Sequence, residues 1–491
     1  MVNGNLALKM QDESNIDSVF MPDSLKYTSV SLTEVFANNT RFDASAFNLD
    51  AKAAKYKVTH CKYGYTYLWG ANGLVKDAYV CGRFKRIYVE KSAKDIPFYL
   101  PSTITDVYPR PTKYISPKTN VDINSLKVKK GMLLMTVSGT IGKCSIVGEY
   151  LDNAVFSHDL LRLYGRGQYD VGYIYAFFNT KIGQLVLQTN NYGAVVQHIE
   201  PDHLRNIVIS NAPEEIKKQI HNLVMDSYDL RDQSNALMDE AEKILYQELQ
   251  LPPIEKLKPE YYDESIDLRN YTTKLSRLNL RFDCSYHTPE NIAILNMLYK
   301  YSKQVLYIGD DTISKQIILP GRFKRTYVDD KNGIPFFGGK QLLELNPSNI
   351  KYLSRSQHSD RIDNELYLKE NMIAVTCSGT IGKVNIIPKH WENWALNQHV
   401  MRIVPTSKDL AGYIYCWLNT DYGYNLIIRH IYGSVVDEID DRHLSKVEIP
   451  ILKNESKQKE INDKVLQANE LRYQAYLKEQ DAVKMMEDVM R

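Results

Sequence analysis

The chain has 491 residues, of which 44% are hydrophobic and 24% are charged; a prior of about 150 residues per domain therefore predicts two to four domains. The formal net charge of +2 excludes a uniformly basic protein but allows local basic patches. No stretch approaches the roughly 18 apolar residues of a membrane span, and the first residues lack a signal-peptide core, so we expect a cytoplasmic protein without membrane contact.

The cysteine and tyrosine contents add two further limits. Six cysteines are scattered without a C-x-x-C pair, which predicts free thiols and no metal site in this chain. Tyrosine occurs 35 times against 13 phenylalanines. This excess suits contact surfaces, because a tyrosine ring packs while its hydroxyl still bonds, but it is equally compatible with an ordinary surface.

A repeat with a period of about 240 residues organises the sequence, and a period this long predicts domains rather than a solenoid. Six segments recur in the same order, so the chain is interpreted as a tandem duplication. The pairs are RFDAS (41–45) with RFDCS (281–285), GRFKRIYV (82–89) with GRFKRTYV (321–328), IPFY (96–99) with IPFF (334–337), SGTIGK (138–143) with SGTIGK (378–383), GYIYAFFNT (172–180) with GYIYCWLNT (412–420), and YGAVVQHIEPDHL (192–204) with YGSVVDEIDDRHL (432–444).

The repeat also sets the expected boundaries. In chain order we expect an N-terminal lead-in at 1–40, a first domain at 41–212, a long helix at 213–250, a linker and second lead-in at 251–280, a second domain at 281–452 and a second long helix at 453–491.

The GRFKR segments each place three cations within four residues beside aromatic rings. In a strand, Arg83 and Lys85 share one face, while Phe84 and Arg86 share the other. A basic edge with interleaved aromatics suits a nucleic-acid backbone, although charge runs also occur on solvated faces. The candidate DNA contacts here are Arg83, Lys85 and Arg86 in the first half and Arg322, Lys324 and Arg325 in the second.

The two copies diverge directly after IPF, over residues 99–130 and 337–370. Two modules that read different base sequences need dissimilar segments on one framework. Drift of surface loops would give the same pattern. Candidate contacts within these segments are Tyr99, Ser102, Lys340 and Gln341.

The SGTIGK motif is not a P-loop, because its glycines are separated by two residues and its lysine is not followed by Ser or Thr. Apolar, β-prone runs flank both copies, so we expect a tight turn between two strands. Lys143 and Lys383 are then candidate phosphate contacts, or solvated surface lysines.

A heptad-like seam follows each domain. In the first it comprises Ile216, Ile220, Leu223, Leu230, Leu237, Ala241 and Ile244, with Ser227 and Ser234 in the gaps. In the second it comprises Ile461, Val465, Ala468, Leu471, Ala475, Ala482, Met485 and Val489, and its register slips between Ala468 and Leu471. Each helix could pack only on its own domain, but the seams favour pairing of the two helices.

In its order of motifs the chain resembles the specificity subunits of type I restriction–modification systems. The residues that carry the resemblance are the IPF segments, the SGTIGK turns, the two seams, and the segments AVFSHDLLRL (154–163) and WALNQHVMRI (394–403). The resemblance implies an α+β fold: two tandem target-recognition domains with mixed β-sheet, separated by two long helices that pair as an antiparallel coiled coil, with pseudo-twofold symmetry.

The resemblance also implies a function. Such a subunit binds double-stranded DNA at a bipartite, asymmetric site and directs adenine methylation and cleavage by partner subunits. The implied partners are two methylation (M) subunits and motor-nuclease (R) subunits, which would hold S-adenosylmethionine, ATP and magnesium.

The chain itself is expected to be non-catalytic, since no N/D-P-P-F/Y tetrapeptide, Walker motif or nuclease cluster is found. Alternatives remain open at this stage. They are a specificity subunit of a type IIB-like or other phage-defence methyltransferase complex, a stand-alone enzyme acting on nucleotides or DNA, and an interaction protein whose helices only dimerise two ligand modules.

Overall fold

The computed structural model describes residues 29–37, 40, 47–92, 94–188, 198–257, 271–278 and 280–491. Most of the expected lead-in, the RFDAS motif and part of the first YGAVV segment lie outside these residues. The described chain is α+β, as predicted, with several small sheets and two long helices.

The elements alternate irregularly along the chain. The helices are α1 Leu32–Ala37, α2 Leu49–Thr59, α3 Ile123–Leu126, α4 Asp170–Phe178, α5 Lys181–Gln188, α6 Glu214–Glu248, α7 Pro289–Tyr301, α8 Arg355–Arg361, α9 Lys408–Leu418, α10 Asp421–Ile428, α11 Asp441–Ser445 and α12 Glu455–Val489. The strands are β1 Tyr65–Tyr67, β2 Val75–Val80, β3 Tyr88–Val89, β4 Ile96–Phe98, β5 Lys113–Ile115, β6 Leu133–Thr136, β7 Cys144–Ile146, β8 Leu160–Gly165, β9 Val208–Ser210, β10 Gln304–Tyr307, β11 Ser314–Ile318, β12 Tyr327–Val328, β13 Gly333–Phe337, β14 Lys351–Ser354, β15 Ile373–Thr376, β16 Val384–Ile386, β17 Ala395–Leu396, β18 Val400–Pro405 and β19 Glu448–Ile451.

The two halves have corresponding strand orders, with β17 as an additional strand in the second half. The first half contains sheets β2-β8-β6-β7, β3-β5-β4 and β1-β9, and the second contains β11-β18-β15-β16, β12-β14-β13-β17 and β10-β19. The pair β13–β17 is parallel, so its sheet is mixed. The other pairings among the described strands are antiparallel.

The SGTIGK motif forms the tight turn of the hairpins β6–β7 and β15–β16. Gly139 and Gly142 have φ of 71° and 84°, a conformation that side chains with a Cβ rarely adopt. The hydroxyl of Thr136 accepts a hydrogen bond from the Lys143 amide at 3.1 Å and donates to the Thr140 carbonyl at 2.6 Å. The second copy repeats this geometry. The repeated SGTIGK motif therefore forms a hairpin turn in both halves, as expected.

The GYIY motif fixes each domain to the long helix that follows it. The amide of Gly172 donates to His221 Nδ1 of α6 at 3.2 Å, and that of Gly412 donates to Asn462 Oδ1 of α12 at 2.9 Å. A Cβ on Gly172 would lie 2.7 Å from the Cα of His221. Only glycine allows helices α4 and α9 to approach the long helices this closely.

The long helices α6 and α12 each contain 35 residues, about 52 Å of helix, and they lie against one another. Ser227 Oγ donates to the Ala475 carbonyl at 2.8 Å, and Arg472 Nε donates to Ser234 Oγ at 3.0 Å. Lys464 Nζ lies 2.7 Å from a Glu240 carboxylate oxygen. Residue numbers rise along one helix as they fall along the other, so the two run antiparallel.

Each long helix contributes to the cores of both halves. The core of the first half contains Ile220 and Val224 of α6 together with Met486 and Val489 from the end of α12. The core of the second half contains residues from the end of α6 and the start of α12, among them Met238, Leu245, Ile461 and Val465. A helix thus begins on its own domain and ends in the core of the other.

The buried face of α12 corrects the predicted seam. Leu471 is only half-buried, and the slip in register is absent because Arg472 and Glu479 occupy the missing positions. One series of buried residues follows uninterrupted steps of four and three: Ile461, Val465, Ala468, Arg472, Ala475, Glu479, Ala482, Met486 and Val489. Asn462 and Asn469 are buried beside this series.

On α6 the buried residues lie one position after the predicted seam residues at alternate positions of the series. The predicted Ile216, Leu223, Leu230, Leu237 and Ile244 are half-buried and pack beside the cores. The fully buried residues include Ile220, Val224, Ser227, Ser234, Met238, Ala241 and Leu245. Because α6 contacts both halves as well as α12, its apolar face is wider than a two-helix seam.

A buried ion pair between Arg231 and Glu479 links the two helices, with side chains only 15% and 3% exposed. We expect Glu479→Gln to lower the free energy of unfolding by about 3 kcal/mol, because it leaves the Arg231 guanidinium buried without a counter-charge. Asp226→Asn, in the exposed pair with Lys478, is the matched control and should cost less than about 1 kcal/mol. Denaturant unfolding of both variants measures the difference, and equal losses would contradict a buried, register-fixing role.

Candidate nucleic-acid interface

The GRFKR segment of the first half has no regular secondary structure and precedes strand β3 instead of lying within a strand. The predicted alternation is nevertheless present. Arg83 and Lys85 are exposed, whereas Phe84 and Arg86 are half-buried. Two cations thus project together into solvent ahead of the exposed ring of Tyr88.

The second half repeats this arrangement before strand β12. The Arg322 side chain is 81% exposed and lies 3.5 Å from Glu438. Lys324 is exposed, and Arg325 is half-buried. The exposed ring of Tyr327 follows, with the Lys351 ammonium 4.8 Å from its centre.

Arg86 anchors its segment to the fold rather than projecting from it. Its guanidinium donates to Asp159 at 2.9 Å and to Ser157 Oγ at 3.0 Å, and lies 5.8 Å from the centre of the Phe98 ring. The structure therefore does not support Arg86 as an open phosphate contact, because its charge is already paired.

Arg325 has the equivalent place in the second half. It donates to Gln398 and lies 5.5 Å from the ring centre of Phe336, which is the counterpart of Phe98. Gln398 is a neutral partner that holds Arg325 in place without neutralising its charge, so a DNA contact by Arg325 stays a prediction. In both halves one arginine holds the segment, and the other two cations remain exposed.

A buried arginine in each half, missed by the sequence reasoning, organises the loop that holds this anchor. Arg162 donates to the carbonyls of Phe156 and Ser157 at 3.4 and 3.3 Å, and burial lowers its pKa. Arg402 donates to the Leu396 carbonyl at 2.5 Å, and burial lowers its pKa to about 9. The signal was present, since AVFSHDLLRL and WALNQHVMRI place an arginine at the same position in both copies.

The candidates in the divergent segments occupy different environments. Tyr99 is half-buried and stacks on Phe156 with ring centres 4.9 Å apart, and burial raises its pKa to about 12. It is therefore a packing residue of the first half rather than an open contact. Ser102 and Lys340 are exposed, whereas Gln341 is half-buried and donates to the Ser348 carbonyl at 3.2 Å.

The SGTIGK lysines lie where the two halves meet. The Lys143 ammonium pairs with Glu344 of the second half, and the two side chains are 16% and 5% exposed. Lys383 is half-buried near Asp106 of the first half. Lys143 is thus paired between the domains instead of projecting from an exposed turn. A phosphate contact by the half-buried Lys383 stays a prediction.

An exposed apolar loop, also missed, lies beside the cations of the second half. Tyr432 and Glu438 exchange backbone hydrogen bonds of 3.0 and 2.8 Å, which closes the loop. At its tip Val435 is 94% exposed and Val436 is 51% exposed. Apolar side chains in such positions can enter a groove or a base step. The repeated Val-Val pair was the available signal; Val195 and Val196 of the first half lie outside the described residues.

Each half therefore presents two exposed cations beside an exposed tyrosine, which can bind phosphates without distinguishing bases. Within the part of the chain that the structure describes, no group of His, Cys, Asp and Glu side chains could hold a metal ion. None of the described helices combines the length and apolar character needed to cross a membrane.

The cations of the second half lie at the start of a segment that matches a known protein family. Residues 322–469 match the family model described as the type I restriction modification DNA specificity domain. This segment is therefore similar to type I specificity domains. The match begins at Arg322 and extends into α12, and it confirms the resemblance stated from the sequence.

Three solved structures are similar over most of the chain. The type I S subunit from M. genitalium is 11% identical, with 87% of this chain and 98% of that chain covered and a TM-score of 0.27. The HsdS subunit from Thermoanaerobacter tengcongensis is 13% identical, with 86% and 98% covered and a TM-score of 0.26. A structure described by complex assembly and conformational transition of the type I R-M system is 12% identical, with 85% and 98% covered and a TM-score of 0.27. Scores at this level do not establish a shared arrangement. No curated protein matches the chain.

The exposed cations give a direct test. In Arg83→Ala/Lys85→Ala we expect weaker binding to any duplex and a slope of log K against log salt that is shallower by about 1.8, because each lost phosphate contact removes about 0.9. Fluorescence anisotropy with a labelled genomic duplex at several salt concentrations measures this slope. Lys459→Ala, a helix-surface control paired with Asp463, should leave it unchanged. An unchanged slope in the double variant would remove these residues from the interface.

Proposed function

We propose that this chain is the DNA-binding specificity subunit of a type I restriction–modification complex and that it recognises a bipartite, asymmetric site. Residues 41–212 and 281–452 act as the two target-recognition domains, and residues 213–250 and 453–491 act as the spacer helices. The chain recognises DNA, and the other subunits catalyse the reactions.

The proposal is carried by one observation: the half outside the family match repeats the matched half. The model match begins at Arg322, and the first half has corresponding strand orders and the same pair of exposed cations at Arg83 and Lys85. The simplest interpretation of this repetition is that the first half is a second DNA-recognition domain with the same framework.

The asymmetry of the site is supported by the divergent segments. After β4 the first half continues through a 3-10 turn at Pro101–Thr105 and the short helix α3. The corresponding part of the second half contains α8 followed by a π-helical turn at Ile362–Leu366. Different backbones present different side chains to base edges, so the two half-sites should differ in sequence.

The antiparallel helices supply the spacer and the surface for partners. Their length of about 52 Å corresponds to about one and a half turns of B-DNA. Two methylation subunits would bind along this pair, hold S-adenosylmethionine and methylate adenine. Motor-nuclease subunits that use ATP and magnesium would join for cleavage.

Methylome sequencing of the host tests this function. Deletion of the gene should abolish adenine methylation at one bipartite motif, and complementation with the unsubstituted gene should restore it. An unchanged methylome after deletion, with the partner genes intact, would contradict the assignment. If methylation persisted at one half of the motif without the other, only the assignment of two recognition domains would be contradicted.

A further inference from the structure

The two domains contact each other directly, in addition to their shared helices. The amide of Val107 donates to the Leu343 carbonyl at 2.6 Å, and Asp106 pairs with Glu344 in an antiparallel bridge. Asp106 and Glu344 stand at the same distance along the chain from the IPF phenylalanines of their respective copies. The contact therefore joins equivalent positions of the duplication.

Two lysines complete a cluster of four titratable side chains, which we name the interdomain clasp: Asp106, Lys143, Glu344 and Lys383. Lys143 pairs with the buried Glu344 across the domain boundary. Glu344 also accepts a hydrogen bond from the Ser348 amide at 2.8 Å. Burial raises the pKa of Asp106 to about 7; Lys383 opposes this rise, and Glu344 adds to it. Each domain thus contributes one carboxyl side chain and one SGTIGK lysine to the clasp.

Both clasp lysines directly follow SGTIGK turns of the same backbone geometry. Lys143 follows a turn fixed by Gly139, Gly142 and the Thr136 hydroxyl. A neighbouring contact places Lys340 Nζ of the second half 3.5 Å from Thr140 Oγ1 of that turn. A movement that separates these two segments would therefore break the Lys143–Glu344 pair.

We propose that the interdomain clasp determines which spacing between the two half-sites the chain accepts. This inference rests on the proposed function. Adding or removing one base pair moves one half-site by about 3.4 Å and rotates it by about 35°. The paired helices limit the distance between the two domains. The clasp also restricts the rotation of one domain relative to the other about the helix axis.

Charge reversal tests the clasp. Lys143→Glu places a third carboxylate beside Asp106 and Glu344, so the domains should separate at this point. Lys143→Glu/Glu344→Lys restores one attractive pair across the boundary. Lys130→Glu, in the exposed pair with Glu149 inside the first half, is the control that changes the same charge without touching the boundary.

The measurement is the affinity of the full chain for duplexes that carry the methylated motif with its native spacer or with a spacer one base pair longer or shorter. The unsubstituted chain and the control should prefer the native spacer by about ten-fold or more. Lys143→Glu should retain binding but lose most of that preference, and the double reversal should recover it. Lys143→Met, which keeps the length of the side chain without its charge, should give an intermediate preference and guards against misfolding of the reversal.

Three results would overturn the proposed role of the clasp. An unchanged spacer preference in Lys143→Glu and Lys143→Met overturns the clasp, as does a double reversal that fails to restore the preference. Tighter binding by Lys143→Glu at every spacing also overturns it, because the contact would then oppose DNA entry. Failure of the unsubstituted chain to bind any of these duplexes would instead count against the proposed function.

Discussion

The structure depends on the antiparallel contact between α6 and α12. Each helix begins on the domain that precedes it and ends in the core of the other domain, so neither core is complete without residues from both halves. A duplicated chain is in this way converted into one body. The buried Arg231–Glu479 pair lies within the contact, and a buried pair of this kind penalises shifted registers more strongly than it adds stability.

The cations of each half divide into two groups with different tasks. In GRFKR one arginine is held by carboxylate, hydroxyl or amide oxygens and an aromatic ring, whereas the arginine and lysine before it remain exposed. The buried Arg162 and Arg402 support this anchor by binding the carbonyls of the adjoining loop. A nearly neutral chain can therefore present local positive charge at two defined places, and no general excess of basic residues is needed.

Much of the fold was predictable because local signals agreed with it. The repeat, the hairpin turns at SGTIGK, the alternation within GRFKR and the two long helices all follow from short-range patterns. The slip predicted in the α12 seam was wrong because only apolar residues were considered, whereas Arg472 and Glu479 occupy buried positions. The role of Lys143 could not be predicted from its own motif, since Glu344 approaches from the other half of the chain. Acidic residues at equivalent places in both copies were the only signal of that contact.

We propose that one chain contacts one duplex at two places through its two exposed basic surfaces. Hydroxyl-radical cleavage of a bound duplex that carries the methylated motif measures this contact. We expect two protected patches separated by an unprotected gap, with centres about one to one and a half helical turns apart. A single continuous patch, or protection of one half-site alone at saturating protein, would contradict it.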